Sequence, residues 1–312
     1  MQETAFVYPD FASVRDFGLF RVGGSGLANC LIAWARASVL ADRTGSRRIA
    51  ATWPSLRIGP ILRREKDVRL YADLFVPEAD AVAGLRKLHL LARSRRKGFA
   101  LPDEIARAEP GTLYVCDGSR IVPEYFEGLL AHRDELRRRL LAMTRQRWKD
   151  RAAANAGAEV AVHVRLGDFL AAAPAGTPAF NVRIPIGWYR DRIERLRAEA
   201  GRRLTVRVFS DGSDAELAPL LSLPDVQRAR GGNAIADILA LSRAPILVSS
   251  GSTFSMWAAF LGDGASISHP GRLFQRVKPD EAVEVESAAG SALPRRFLEQ
   301  AFDRAAPLAA PA

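Results

Sequence analysis

Residues 159–170, EVAVHVRLGDFL, decide the fold: an apolar strand runs into a turn at Gly167-Asp168. The stretch 186–201, IGWYRDRIERLRAEAG, reads as a helix with Trp188, Ile193 and Leu196 on one stripe and Gly201 at its end. LTVRVFSDG (204–212) is a second strand, and SDAELAPLLSL begins with helix-starting residues. NAIADILALSRA (233–244) is a helix, APILVSSG (244–251) a strand and STFSMWAAFLGDG (252–264) a helix. Strands alternating with helices of this length imply a parallel sheet with crossover helices. Such sheets bind ligands beyond the carboxyl ends of their strands.

Upstream, residues 21–42 read RVGGSGLANCLIAWARASVLAD. A turn with Gly23, Gly24 and Gly26 leads into a helix whose stripe Leu27, Leu31, Trp34 and Ser38 is core packing, and RRIAATW reads as the strand that follows. This is again an α/β unit. GTLYVCDG (111–118) is a short strand, 123–150 is helical and rich in Arg, and Asn155–Gly157 is a plausible linker. The expected organisation is a first domain over 1–155 and a second over 156–312, with the last helix a candidate to pack back on the first. The Ala/Pro tail from Ala305 is expected to fray.

With 48% hydrophobic and 26% charged residues, the 312-residue chain has material for a sizeable core, which excludes global disorder. Two cysteines, Cys30 and Cys116, exclude a disulfide framework, and four scattered histidines give no metal signature. The net charge is +10, and of 45 cations only Lys66, Lys87, Lys97, Lys149 and Lys278 are lysine. A basic surface attracts phosphate-bearing partners: a nucleotide-linked substrate, an anionic membrane face or nucleic acid. Nucleic acid would want aromatics interleaved with the basic run, and RSRRKGF (93–99) offers only Phe99. The N-terminus lacks a signal-peptide pattern, and the apolar helix near 27–41 is interrupted by Arg36 and too short to span a bilayer. A soluble, cytoplasmic protein is expected, with membrane contact at most peripheral.

The chemistry gathers at the strand ends. The first strand delivers His163 and Arg165, which share a face because strand side chains alternate, and then Asp168. The second ends in Phe209-Ser210-Asp211, and the third runs into Ser249–Ser255 at the start of a helix. Hydroxyls and free amides at a helix N-terminus form an anion site, and an Arg fork suits phosphate oxygens. Together they would cradle a pyrophosphate, with Asp211 and Asp237 available to ribose hydroxyls or a base edge. Each residue also has a plainer reading. His163 could be a satisfied core histidine, Arg165 a partner for Asp168, and Asp211 a turn former. Asp237 could be a helix-dipole carboxylate and the serine run simple capping.

HVRLGDF resembles the H-x-R-R-G-D-[YF] motif of the α-1,2-fucosyltransferases (glycosyltransferase family 11) and, more distantly, that of the α-1,6- and protein O-fucosyltransferases. VFSDG resembles that family's F-S-D-D, and DILALSRAPILVSSGSTFSMWAAFLG its D-L-x-L-M-S…S-S-F-S-W-W-A-A-W-L. GWYRDRIERL and GLANCLIAWARASVLA match two further motifs in the same order, so the resemblance covers about residues 23–42 and 160–262. It implies a GT-B fold, two Rossmann-like domains with a cleft between them, with the acceptor on the N-terminal side and the donor nucleotide in the C-terminal domain. It also implies inverting transfer of fucose from GDP-fucose to a hydroxyl of a glycan acceptor, without metal or other cofactor. Carried over, His163 and Arg165 contact the diphosphate, Asp237 holds guanine, and Ser252, Thr253 and Phe254 line the phosphate and base pocket. Asn29 approaches the donor from the facing domain. Asp168 is expected to anchor the turn or serve the acceptor, and Asp168, Asp16 and His163 are the candidates for a base. The chain departs from the family pattern at Leu166 for the second Arg, Ala28 and Cys30 beside Asn29, Gly212 for Asp, Gly251 for Asn and Met256 for Trp. These departures keep a related transferase using another GDP-sugar as the alternative, with a non-catalytic anion-binding or nucleic-acid-binding protein far behind.

Overall fold

A computed structural model describes residues 4–56, 71–118, 125–167, 169–170 and 182–305. The chain divides into two compact units, Met1–Gln146 and Arg147–Ala312. Asp168 lies outside the described residues, as do the fraying expected beyond Ala305 and part of the stretch read as helical from 123.

Among the described residues, the first unit contains seven strands: β1 (Phe6–Asp10), β2 (Arg15–Asp16), β3 (Arg21–Val22), β4 (Arg47–Arg48), β5 (Ser55–Leu56), β6 (Arg95–Phe99) and β7 (Thr112–Asp117). Its main sheet is parallel, in the order β4-β1-β7-β6, and β2, β3 and β5 form a small second sheet. Helix α1 (Leu27–Thr44) follows the glycine turn and is buried around most of its circumference, so it is apolar on more than one face. It ends at Gly45, whose left-handed φ of 66° no side chain adopts as cheaply. Helices α2 (Gly84–Arg93) and α3 (Arg133–Met143) complete the described helices of this unit, and Phe6, Tyr8, Ile49, Val82 and Leu113 form a core cluster.

The second unit opens with α4 (Gln146–Asn155), which begins one residue before the division, and then β8 (Val160–Val164), buried along its whole length. Burial on both faces is why the sequence there is a continuous apolar run. There follow α5 (Ile186–Ala200), β9 (Val206–Ser210), α6 (Asp214–Leu221), β10 (Val226–Arg228) and α7 (Ala234–Leu241). The unit ends with β11 (Ile246–Val248), α8 (Thr253–Leu261), β12 (Ala265–Ser268), β13 (Glu284–Glu286) and α9 (Arg295–Ala305). The sheet order is β10-β9-β8-β11-β12-β13, every pair parallel. The chain therefore builds outward from β8 in one direction and then restarts at β11 on the other side. That switch point, between β8 and β11, opens the crevice where parallel sheets place ligands.

Local signals fix the helices. Ser213 and Glu216 form a reciprocal capping box at the start of α6, and the Asn233 side chain caps α7 through the Ala236 amide. Trp188, Ile193 and Leu196 of α5 are buried against the sheet. The last helix, read as a candidate for packing on the first domain, contributes Phe297 and Ala301 to this same core.

Candidate active site

The parallel sheet brings the carboxyl ends of β8, β9, β10 and β11 to one edge, and His163, Arg165, Asp211 and the Ser249–Ser255 run sit there. His163 is 6% exposed. Its Nδ1 lies 2.7 Å from Ser255 Oγ and 2.9 Å from Ser250 Oγ, so the end of β8 is tied to the start of α8. Phe254 stacks on the imidazole at 4.7 Å between centroids, with planes 24° apart. Burial, with the Arg165 charge adding to it, pushes the ring's pKa down to about 3, so it stays neutral.

The Ser250 hydroxyl is 2.9 Å from those of Ser252 and Ser255, and Ser249 Oγ accepts from the Gly251 amide. Ser252 is the N-cap of α8 by backbone geometry, yet its hydroxyl makes no capping bond. First-turn amides of a helix have no intrahelical acceptor, and the macrodipole adds positive potential. The arrangement suits an anion's oxygens. Gly251 makes the turn possible: its φ is 69°, and a Cβ there would sit 2.7 Å from Arg272 Cβ. The asparagine of the family motif would meet that crowding.

Arg165 and Asp211 meet at the next two strand ends. Arg165 Nη1 is 2.7 Å from Asp211 Oδ2, and Asp211 Oδ1 accepts from the Leu166 amide at 2.8 Å. Asp211 is thus engaged in fastening the turn after β8 and aiming the guanidinium. The Arg165 side chain keeps 27% of its surface exposed and lies over the Phe169 ring. It is not sealed in the core, as binding an anion requires. Two departures from the family motif meet in space: a Cβ on Gly212 would lie 2.5 Å from Leu166 Cδ1. Leu166 is buried in the sheet's core cluster, so apolar packing occupies the place of two motif charges.

Asp237 stands in the first turn of α7, partly buried, with no hydrogen bond or ion pair to its carboxylate among the described residues. Burial pushes its pKa up to about 7. Asn233 already supplies the cap, so the plainer reading of Asp237 as a helix-end carboxylate explains little of this desolvation. An unpaired carboxylate at a strand-end edge marks a candidate binding group.

In the first unit, Asn29 lies in the first turn of α1, and its Oδ1 is buried without a hydrogen bond among the described residues. The glycine turn before it is held by Arg21, which is fully buried and donates to the carbonyls of Thr52, Phe11 and Gly23. Gly24 has a φ of 118°, and a Cβ on it would lie 1.9 Å from Arg21 Nη1.

Sequence reasoning missed three supporting arginines: Arg21, Arg272 beneath Gly251, and Arg228. The last clamps the turn after β9 by donating to the Ser210 and Gly212 carbonyls at 3.1 and 2.6 Å. No motif flags them: Arg228 and Arg272 reach their turns from other parts of the chain, and Arg21 folds back on the turn it directly precedes.

A parallel sheet whose switch point carries an arginine and a hydroxyl-rich helix mouth suits a phosphate-bearing ligand. The family model described as Glycosyl transferase family 11 matches residues 122–278, half of the chain and the whole of this edge. The chain belongs to that family and is a glycosyltransferase. Its fold is similar to that of the fucosyltransferase NodZ from Bradyrhizobium, with a TM-score of 0.50, 17% identity, and 84% of this chain and 94% of that one covered. It is likewise similar to POFUT1 in complex with GDP, with a TM-score of 0.50, 12% identity, and 86% and 98% covered. No curated protein matches the sequence significantly. Among the described residues, no helix is long and apolar enough to cross a membrane.

Proposed function

We propose that the chain is a GT-B, inverting, metal-independent fucosyltransferase that moves fucose from GDP-fucose to a glycan hydroxyl, in α-1,2 linkage on a surface polysaccharide or O-antigen unit. The observation that carries this reading is the junction at the switch point. His163 ties β8 to the mouth of α8, and Arg165 stands beside it, partly exposed and oriented by Asp211. The motif resemblance, the family and the similar fold of a NodZ structure soaked with GDP-fucose agree with it (TM-score 0.50, 16% identity).

In this reading the donor's diphosphate lies between the Arg165 fork and the first-turn amides of α8, with the Ser252 and Thr253 hydroxyls at its oxygens. Arg165 has five donors, so it can keep Asp211 and still meet the diphosphate. As the glycosidic bond breaks, negative charge grows on the β-phosphate of the leaving GDP. A fixed guanidinium and a helix dipole stabilise it there, the charge a divalent ion supplies in other transferases. Neutral His163 contributes a hydrogen bond. With a pKa of about 3 it is a poor base, which leaves Asp168 and Asp16 of the base candidates. The Asp237 carboxylate accepts from the two N–H groups on the guanine edge, and Phe254 closes the pocket.

The packing of Leu166 over Gly212 favours a second reading, a related transferase for another GDP-sugar, since two motif charges are absent there. A donor screen with GDP-fucose, GDP-mannose and UDP-sugars, read by hydrolysis, separates the two. Consumption of GDP-fucose alone supports the first reading, preference for GDP-mannose the second, and preference for a UDP-sugar neither.

A further inference from the structure

The first unit carries a cavity of about 400 Å³ at the carboxyl end of β1, lined by none of the groups used above for the donor. Its floor is polar. Asp10, the last residue of β1, accepts from the Ala12 amide with Oδ1, and its Oδ2 has no partner among the described residues. Asp16 is held from two sides, by the Gly18 amide at 2.6 Å and by the Tyr8 hydroxyl. Tyr8 is 2% exposed, and its hydroxyl is also 2.7 Å from Thr52 Oγ1, which in turn accepts from the buried Lys87 ammonium at 2.8 Å. This chain of Lys87, Thr52 and Tyr8 fixes the Asp16 carboxylate in place, a preorganised acceptor rather than a mobile surface charge. Burial raises the pKa of Asp10 and lowers that of Lys87 to about 8.

The rest of the lining sets the ligand's character. Arg15 and Arg96 share the lining with the two carboxylates, so it shows no single sign of charge. Phe17, Leu88 and Leu91 make an apolar wall, and Val14 and Phe17 are exposed, at 75% and 44%. An ion would meet charges of both signs in that lining. A molecule with hydroxyls on one edge and C–H groups on its face satisfies both the floor and the wall.

We propose that this cavity binds a neutral sugar ring, its hydroxyls donating to Asp10 and Asp16 and its C–H face against Phe17, Leu88 and Leu91. Its role as the acceptor's subsite rests on the transferase reading; the binding itself does not.

The test is ligand-observed saturation-transfer NMR on the full chain, using methyl glycosides of galactose, glucose, mannose and N-acetylglucosamine, with methyl glucuronide as the anionic probe. GDP affinity is measured by calorimetry alongside. At least one neutral glycoside should bind, and Asp10→Asn should weaken it by about tenfold, the loss of one hydrogen bond to a charged group. Ala92→Trp, an exposed lining position on α2, should fill the cavity and abolish binding without touching the core. Both variants should keep GDP affinity within about twofold, which shows that they fold. The proposal is overturned if no neutral glycoside binds at tens of millimolar, if binding survives both substitutions, or if the glucuronide binds better. A wild-type chain that binds a neutral glycoside but no GDP would sink the donor reading and leave this site standing.

Discussion

Asp237→Asn should make the protein more stable and worse at its work. Folding lifts the Asp237 carboxyl from its ordinary 3.8 to about 7, through burial alone. Each pH unit of such a difference is worth about 1.36 kcal/mol, so ionising the buried group costs up to about 4 kcal/mol, and nearer about 2 after allowing for its partial exposure. The folded state binds the proton more tightly than the unfolded chain. The contribution of this group to stability is therefore whole below about pH 4, declines between about pH 4 and 7, and stays low above that. Asparagine has the same shape and no charge, so it removes the decline. Urea unfolding of both proteins from pH 4.5 to 9 should give a difference near zero at the acid end, growing to about 2 kcal/mol in favour of the variant above pH 7. Calorimetry should show the other side of the exchange. A carboxylate accepting from guanine must be ionised, so GDP affinity in the wild type should fall about tenfold per pH unit below 7. In the variant it should be weak and independent of pH across that range. An asparagine variant less stable than wild type at pH 8, or one binding GDP as well, would refute the reasoning. Retention of a group that destabilises the fold is the expected mark of a binding residue.

Arg165→Ala should lower kcat/KM by about 10²–10³ with an unchanged circular dichroism spectrum, and Arg165→Lys should recover little, because a point charge cannot reproduce the fork. Gly251→Ala should lose about 1–3 kcal/mol in a urea titration, since its φ of 69° and the 2.7 Å approach of Arg272 Cβ both oppose a side chain. His163→Gln should flatten the acid limb of the stability profile. With the folded pKa at about 3 against an ordinary 6.5, the unfolded chain binds a proton that the folded one refuses, so wild-type stability is lost as pH falls through that window.

The second unit was legible because its strands are buried on both faces and its helices carry explicit caps. VAVHV, VFSDG and the Ser213-to-Glu216 box announce themselves without help from distant residues. The first unit was not, for identifiable reasons. FVYPD is β1 of the main sheet, yet Pro9 within it argues against a strand. RRKGF, a basic run that reads as a solvated face, is the edge strand β6, exposed at its first four residues and paired, among the described residues, only with β7. A strand with one neighbour and no buried face leaves no hydrophobic period to read. Of RRIAATW only Arg47–Arg48 pair as a strand, with Ile49 making an isolated bridge to Val82. At the site, the motifs supplied His163, Arg165 and the serine run. That Asp211 faces Arg165, and that Leu166 and Gly212 fill one another's space, needed the sheet to bring two strand ends together.

The central claim is that Arg165 and the mouth of α8 grip the diphosphate of a guanosine nucleotide. Calorimetric titration of GDP, against ADP and UDP, into the wild type and Arg165→Ala tests it most directly. The account predicts saturable GDP binding preferred over both other nucleotides and weakened at least about tenfold in the variant. Equal affinity for GDP in the two proteins, or no heat at millimolar GDP, would contradict it.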